Sequence, residues 1–105
     1  MAGDTTQIAT QFFAAARTLA CHNGSLQERL ADAYADHLLT VSIVDLPTEL
    51  QQTFREIEEQ LNRDAPNDDD DPFEAAAGAL SDEEVRALIE RILLLYGRLM
   101  ELVPR

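Results

Sequence analysis

Apolar residues recur at steps of three and four along most of this 105-residue chain. Such spacing places the apolar side chains on one face of an α-helix. The clearest run consists of Leu46, Leu50, Phe54, Ile57 and Leu61. No stretch alternates apolar and polar residues with the period of two that a half-buried β-strand shows. The sequence therefore predicts an all-α fold.

The starts of four main helices are marked by local capping signals. In a capping box, a Ser or Asp side chain and a Glu or Gln side chain three residues later cap backbone amides reciprocally. Three such pairs are Asp4 with Gln7, Ser25 with Glu28, and Ser81 with Glu84. Pro47 suits the first turn of another helix, and Asn23-Gly24 predicts a left-handed end to the first helix. Short first and second connections predict a small antiparallel bundle, and Asp71-Pro72 allows an extra short helix after the acidic segment.

The second and last helices carry the widest predicted apolar faces. The stripe of the second helix is Leu26, Leu30, Ala33, Tyr34, His37, Val41 and Val44. The last helix carries a broad stripe from Val85 to Leu99, with Leu94 on the opposite face. A stripe of this width can bury against two helices or against a second copy of the chain. The candidate homodimer interface is Leu88, Ile92, Leu94, Leu95 and Leu99.

The length of the chain supports one domain. We expect a single helical domain over residues 1–101, with an acidic linker at 62–71 inside it. Residues 102–105, which read LVPR, match half of a thrombin cleavage site and are interpreted as a tag remnant. The sequence lacks a long apolar run and a basic leader, so neither a membrane span nor a secretory signal is expected. The lone Cys21 cannot form an internal disulfide, which fits the cytoplasm.

Acidic residues outnumber basic ones by 20 to 8, for a net charge of −12. Phosphates would repel such a chain, so direct binding to nucleic acid or to an anionic membrane is not expected. Carboxylates recur along the outer sides of the second and third helices and in the linker. They are Glu28, Asp32, Asp36, Glu49, Glu56, Glu59 and Asp68, Asp69, Asp70 and Asp71. If the two helices are neighbours, these residues form one acidic wall, which is either a solvated face or a docking surface for a basic protein.

Few residues suggest chemistry. His37 lies within an apolar stripe and is either a core histidine or a pH-sensing or acid–base group working with Asp36 or Tyr34. Cys21 and His22 are adjacent, so they point about 100° apart on a helix and cannot face one another. His22 near a helix end suits the helix dipole. No Glu-x-x-His pair and no calcium-loop pattern occurs, so no metal, cofactor or catalytic residue is predicted.

Two functions remain from different classes. The first is a non-catalytic protein-interaction module, a small acidic regulator or inhibitor that docks on a basic surface of a partner. In its strongest form, this module imitates phosphate charge in a partner's nucleic-acid groove. The second is a homo-oligomeric structural or accessory subunit that associates through the C-terminal helix. An enzyme centred on His37 has no supporting motif.

Overall fold

The computed structural model describes residues 5–61 and 72–102. The α-helices in this part are α1 (Thr5–Cys21), α2 (Leu26–Ala33), α3 (Thr48–Leu61), α4 (Pro72–Gly78) and α5 (Asp82–Leu102). A π-helix, Tyr34–Leu38, continues directly from α2, and a short 3-10 helix covers Ile43–Asp45. No strand occurs within the described residues, which confirms the all-α prediction. None of the described helices combines the length and apolar character needed to cross a bilayer.

The capping box predicted for α5 is complete, whereas at α2 only the half supplied by Ser25 forms, because the Glu28 carboxylate accepts from the Ser25 hydroxyl instead of the Ser25 backbone N–H. The Ser81 hydroxyl accepts the backbone N–H of Glu84 (3.1 Å), and the Glu84 carboxylate accepts the backbone N–H of Ser81 (3.0 Å). The Ser25 hydroxyl likewise accepts the backbone N–H of Glu28 (3.1 Å). The predicted box at Asp4 lies outside the described residues. These contacts satisfy backbone amides that have no partner inside the helix, and so they define where α2 and α5 begin.

We expect Ser81→Ala to lower the free energy of unfolding by about 1 kcal/mol, because an N-cap hydroxyl of α5 is lost. Ser42→Ala is the matched control. Ser42 is exposed and precedes the 3-10 helix, and its side chain makes no capping hydrogen bond. Urea unfolding followed by circular dichroism measures both variants. Equal stabilities of the two variants would show that the Ser81 cap contributes nothing.

The second predicted helix departs from its expected course. The backbone N–H of Leu39 bonds to the carbonyl of Tyr34 (2.8 Å), five residues back rather than four. This wider turn shifts the later residues around the helix axis, so Leu38 joins the predicted Val41 in the core and His37 moves to its edge. Val44, predicted to extend the apolar stripe, is 72% exposed. The prediction of a continuous stripe through Val44 is wrong.

One hydrophobic cluster joins the described helices. Phe12 of α1 packs edge-to-face against Phe54 of α3, with ring centroids 6.0 Å apart. The apolar face of α5 lies at the centre of this cluster. Its fully or almost fully buried residues include Leu88, Ile92, Leu95 and Leu99. The oligomer-interface prediction is therefore wrong for these four leucine and isoleucine residues, because their side chains are covered within one molecule, whereas Leu94 is 56% exposed.

The order of packing also differs from expectation. α5 packs against α1, α2 and α3, whereas α4 packs against α2 and α3. In the described part of the chain, α2 and α3 thus share α4 and α5 as neighbours and do not pack extensively on each other. The predicted acidic wall assumed that α2 and α3 lie side by side. That assumption is wrong, because two other helices take those positions.

Candidate functional site

A groove of about 520 Å³ runs between α1 and the α2–π-helix segment. One side of it is formed by the C-terminal half of α1, and the other by the outer face of α2 and the π-helix. Its polar lining includes Arg17, Cys21 and His22 on the first side and Asp32, Asp36 and His37 on the second. The groove therefore brings together both histidines, the cysteine and two of the predicted wall carboxylates. We call it the α1–α2 groove.

His22 links the end of α1 to α2. The backbone N–H of Gly24 donates to Nδ1 of His22 (2.8 Å), so this nitrogen carries no proton. The proton must then lie on Nε2, which donates to Oδ2 of Asp32 (2.6 Å). Both ring nitrogens are occupied, and the contact with Asp32 fixes the tautomer. His22 consequently serves as a structural link here, a role that sequence reasoning missed because Asp32 lies on another helix.

Gly24 is required by this arrangement for a reason other than the predicted one. No described glycine has a positive φ, so the expected left-handed end of α1 is wrong. Instead, a Cβ added at Gly24 would lie 2.7 Å from Cε1 of His22 and 2.9 Å from its Nδ1. The missing side chain lets the imidazole approach the backbone closely enough to accept the Gly24 N–H.

His37 lies on the other side of the α1–α2 groove, in the π-helix. Its Nε2 lies 3.0 Å from the hydroxyl of Thr18, so it joins the π-helix to α1. Asp36 is exposed in the same groove, whereas Tyr34 is buried in the core. Of the residues considered for acid–base work with His37, only Asp36 therefore shares the groove. Single π-helical turns inside α-helices occur frequently at functional sites.

The remaining polar groups of the α1–α2 groove are able to contact another molecule. Among residues 5–61 and 75–102, Arg17 and Asp36 have no hydrogen-bond or ion-pair partner, and the Cys21 thiol is exposed. Within those same ranges, no three His, Cys, Asp or Glu side chains converge closely enough to hold a metal ion. The groove thus offers one free cation and one free carboxylate for contact with another molecule.

A second, smaller groove of about 240 Å³ lies on the opposite flank of α1, against α5. Phe13, Tyr96 and Met100 supply most of its apolar lining, and we call it the α1–α5 groove. The rings of Phe13 and Tyr96 lie 6.0 Å apart in a tilted arrangement. Phe13 is 53% exposed and, together with Thr10, lines both grooves. The sequence places Phe13 at the edge of the apolar stripe of α1, but it points about 100° away from Phe12, which alone of the two is buried.

The predicted wall residues of α2 have separate roles. Glu28 contributes to the cap with Ser25, and Asp32 accepts from His22. Asp36 lines the α1–α2 groove. Only Asp36 among these is left without a contact in the described part of the chain.

The predicted wall residues of α3 lie apart from those of α2. Glu49 and Glu59 are exposed, and Glu56 pairs with Arg91 of α5, with Oε2 and Nε 3.2 Å apart. Partial burial raises the pKa of the nearby Glu58 carboxyl above its ordinary value, and the Arg55 guanidinium opposes this shift. Asp68 to Asp71 fall outside the described residues. The structure thus distributes the described acidic residues over several surfaces.

What the two grooves can do is inferred from their own geometry. No protein-family model, curated protein sequence or solved structure matches the chain. Apolar surface predominates in both grooves, but only the α1–α2 groove also carries charged side chains, those of Arg17, Asp32 and Asp36. The half-exposed side chain of Phe13 lies between the two grooves. Such a pairing suits the binding of an extended surface rather than the enclosure of a small substrate.

Proposed function

We propose that the protein is a non-catalytic interaction module, a small acidic regulator or inhibitor that docks on a basic surface of a partner protein. One observation supports this proposal above the others. Glu49, Glu59, Glu83 and Glu90 are exposed and have no basic partner among the described residues. Together with the net charge of −12, they give the exterior of the molecule an excess of negative charge. Such a surface attracts basic proteins over long range and accelerates their association.

The acidic surface in this proposal is not the predicted wall on α2 and α3, because it includes carboxylates at the start of α5. The side chain of Gln27 donates to Oδ1 of Asp82 (2.8 Å) and to the carbonyl of Leu80 (3.3 Å), so α2 begins beside the start of α5. Asp82, Glu83 and Glu84 are exposed there. The α5 dipole favours these acids at a helix start, which is a structural reason for their presence. The antiparallel order of the four main helices also remains a prediction.

A partner whose basic surface binds nucleic acid fits best, because its groove already accommodates regularly spaced negative charge. The test measures binding of the chain to a panel of purified basic proteins that bind nucleic acid, at about 50 and about 300 mM salt. Acidic proteins of similar size serve as the negative control. We expect binding to basic members, at least about tenfold weaker at the higher salt. Duplex DNA should compete with the protein for the same partner.

A variant with Glu49, Glu59, Glu83 and Glu90 changed to Gln should bind at least about tenfold more weakly, since four charges are removed. A matched variant with the exposed uncharged residues Gln52 and Thr48 changed to Ala should bind like the parent. Failure to bind any basic protein at low salt would contradict the proposal.

The alternative is a homo-oligomeric accessory subunit that associates through α5. The observation in its favour is the exposure of Leu93, Leu94, Met100 and Leu102 on this helix. These residues replace the buried ones that the sequence indicated. Light scattering at micromolar concentration tests this alternative, and a strict monomer would reject it.

A further inference from the structure

We infer that the exposed ridge of α1 formed by Thr10 and Phe13, with a groove on each side, is the docking site for a basic amphipathic helix of the partner. We call this feature the α1 ridge. The inference rests on the proposed function and deepens it, because it names the surface and the chemistry of the bound segment. An amphipathic helix presents an apolar stripe beside a charged face, which is how such helices occupy protein grooves.

The apolar half of this site is the α1–α5 groove. α1 contains no carboxylate, and Arg17 is its single charged residue, in a chain that is otherwise strongly acidic. Phe13 and Met100 are 53% and 46% exposed, and Tyr96 packs against Phe13. Aromatic side chains that are already held by a neighbour serve well as binding anchors, because little conformational freedom is lost on contact. The α1–α5 groove, with a volume of about 240 Å³, is large enough to hold an apolar side chain of the bound helix.

The charged half of this site is the α1–α2 groove. Asp36 is exposed there without a partner among the described residues, and Asp32 lies beside it with one oxygen bonded to His22. Because Phe13 lines both grooves, a helix lying along the ridge can place apolar side chains on one flank and bases on the other. Lysine or arginine on the second flank would meet Asp36 and Asp32.

Charge complementarity selects this occupant over a second copy of the chain. Two copies would each bring a net charge of −12 to the contact, and α1 offers only Arg17 as a cation. A basic helix instead neutralises the carboxylates of the groove. The positive charge of Arg17 repels the basic side chains of such a helix. It should therefore lower the affinity and direct those side chains toward the π-helix.

The test uses a synthetic helical peptide of about 18 residues built from Leu and Lys at amphipathic spacing, with a scrambled peptide of the same composition as control. Fluorescence anisotropy measures its affinity for the full chain. We expect Phe13→Ala to weaken binding about tenfold and Asp36→Asn about threefold, and Arg17→Gln to strengthen it. The controls Leu94→Ala and Gln52→Ala, at exposed positions outside both grooves named above, should stay within about twofold.

The outcomes separate the site from the function. If both peptides bind equally and Phe13→Ala changes nothing, the α1 ridge is not the site, although a basic partner is still bound. If neither peptide binds at low salt, the α1 ridge is not a site for a basic helix, and the panel of basic proteins decides separately whether the proposed function holds. If the chain is a dimer that Phe13→Ala dissociates, a second copy covers the ridge, and the inference of a partner helix is overturned.

Discussion

Replacing Leu95 with Asp is expected to unfold the protein at room temperature. Leu95 is fully buried at the centre of the cluster that joins the helices. Losing a buried leucine side chain costs about 2–5 kcal/mol. An unpaired carboxylate in the same place costs more, or must bind a proton. Domains are stable by about 5–15 kcal/mol, and the small core of a 105-residue chain places it near the lower end of that range, so a loss above about 5 kcal/mol removes most of the folded population.

Leu94→Asp is the matched control, since it makes the same chemical change one residue earlier on the same helix. Leu94 is 56% exposed, and we expect its replacement to change stability by no more than about 0.5 kcal/mol. Circular dichroism and thermal melting measure both variants, and light scattering reports their mass. If Leu95→Asp stays folded and only lowers the mass of an oligomer, then Leu95 lies at an interface between chains and its burial in one molecule is contradicted.

Gly24→Ala is expected to destabilise the protein by about 2 kcal/mol, the combined size of one neutral and one charge-assisted hydrogen bond. The new methyl group would lie 2.7 Å from Cε1 of His22. The imidazole must then move away, and it loses both the Gly24 N–H and the Asp32 carboxylate. Urea unfolding measures the change in stability. NMR of the His22 ring shows whether the imidazole has left its place.

Gly97→Ala is the opposite case and serves as the control. Gly97 lies inside α5, is exposed, and a Cβ there meets nothing within 4 Å. Because alanine favours a helix more than glycine does, we expect this substitution to stabilise the protein by about 0.5–1 kcal/mol. If Gly24→Ala stabilised the protein as Gly97→Ala should, the close contact between Gly24 and His22 would not exist.

Local patterns predicted the helices well where the chain follows regular α-helical geometry. The seam of Leu50, Phe54, Ile57 and Leu61 in α3 is buried as its spacing requires. The Ser25 and Ser81 hydroxyls cap the starts of α2 and α5 as predicted. Each of these features depends on residues three or four apart, which meet whenever a helix forms.

Prediction failed where the helical period changes. The stripe that included His37 and Val44 assumed a constant turn, but the π-helix inserts a wider one after Ala33. Leu38 therefore takes the core position, and His37 turns toward the α1–α2 groove. The β-branched residues at the end of the second helix can suggest that the helix frays, yet no local signal marks a π-turn. The free energy gained by burying Leu38 comes from side chains distant in sequence.

The spacing of apolar residues and the capping motifs thus determined that the protein is helical and where two of its helices begin. Composition alone determined that its charge is strongly negative. The tertiary structure decided which helices are neighbours, which of Phe12 and Phe13 is buried, and which carboxylates share a surface. Helical spacing specifies one apolar face per helix, but not the partner that the face meets. That choice depends on how the apolar faces of the described helices fill one core together, and the two grooves beside α1 are its consequence.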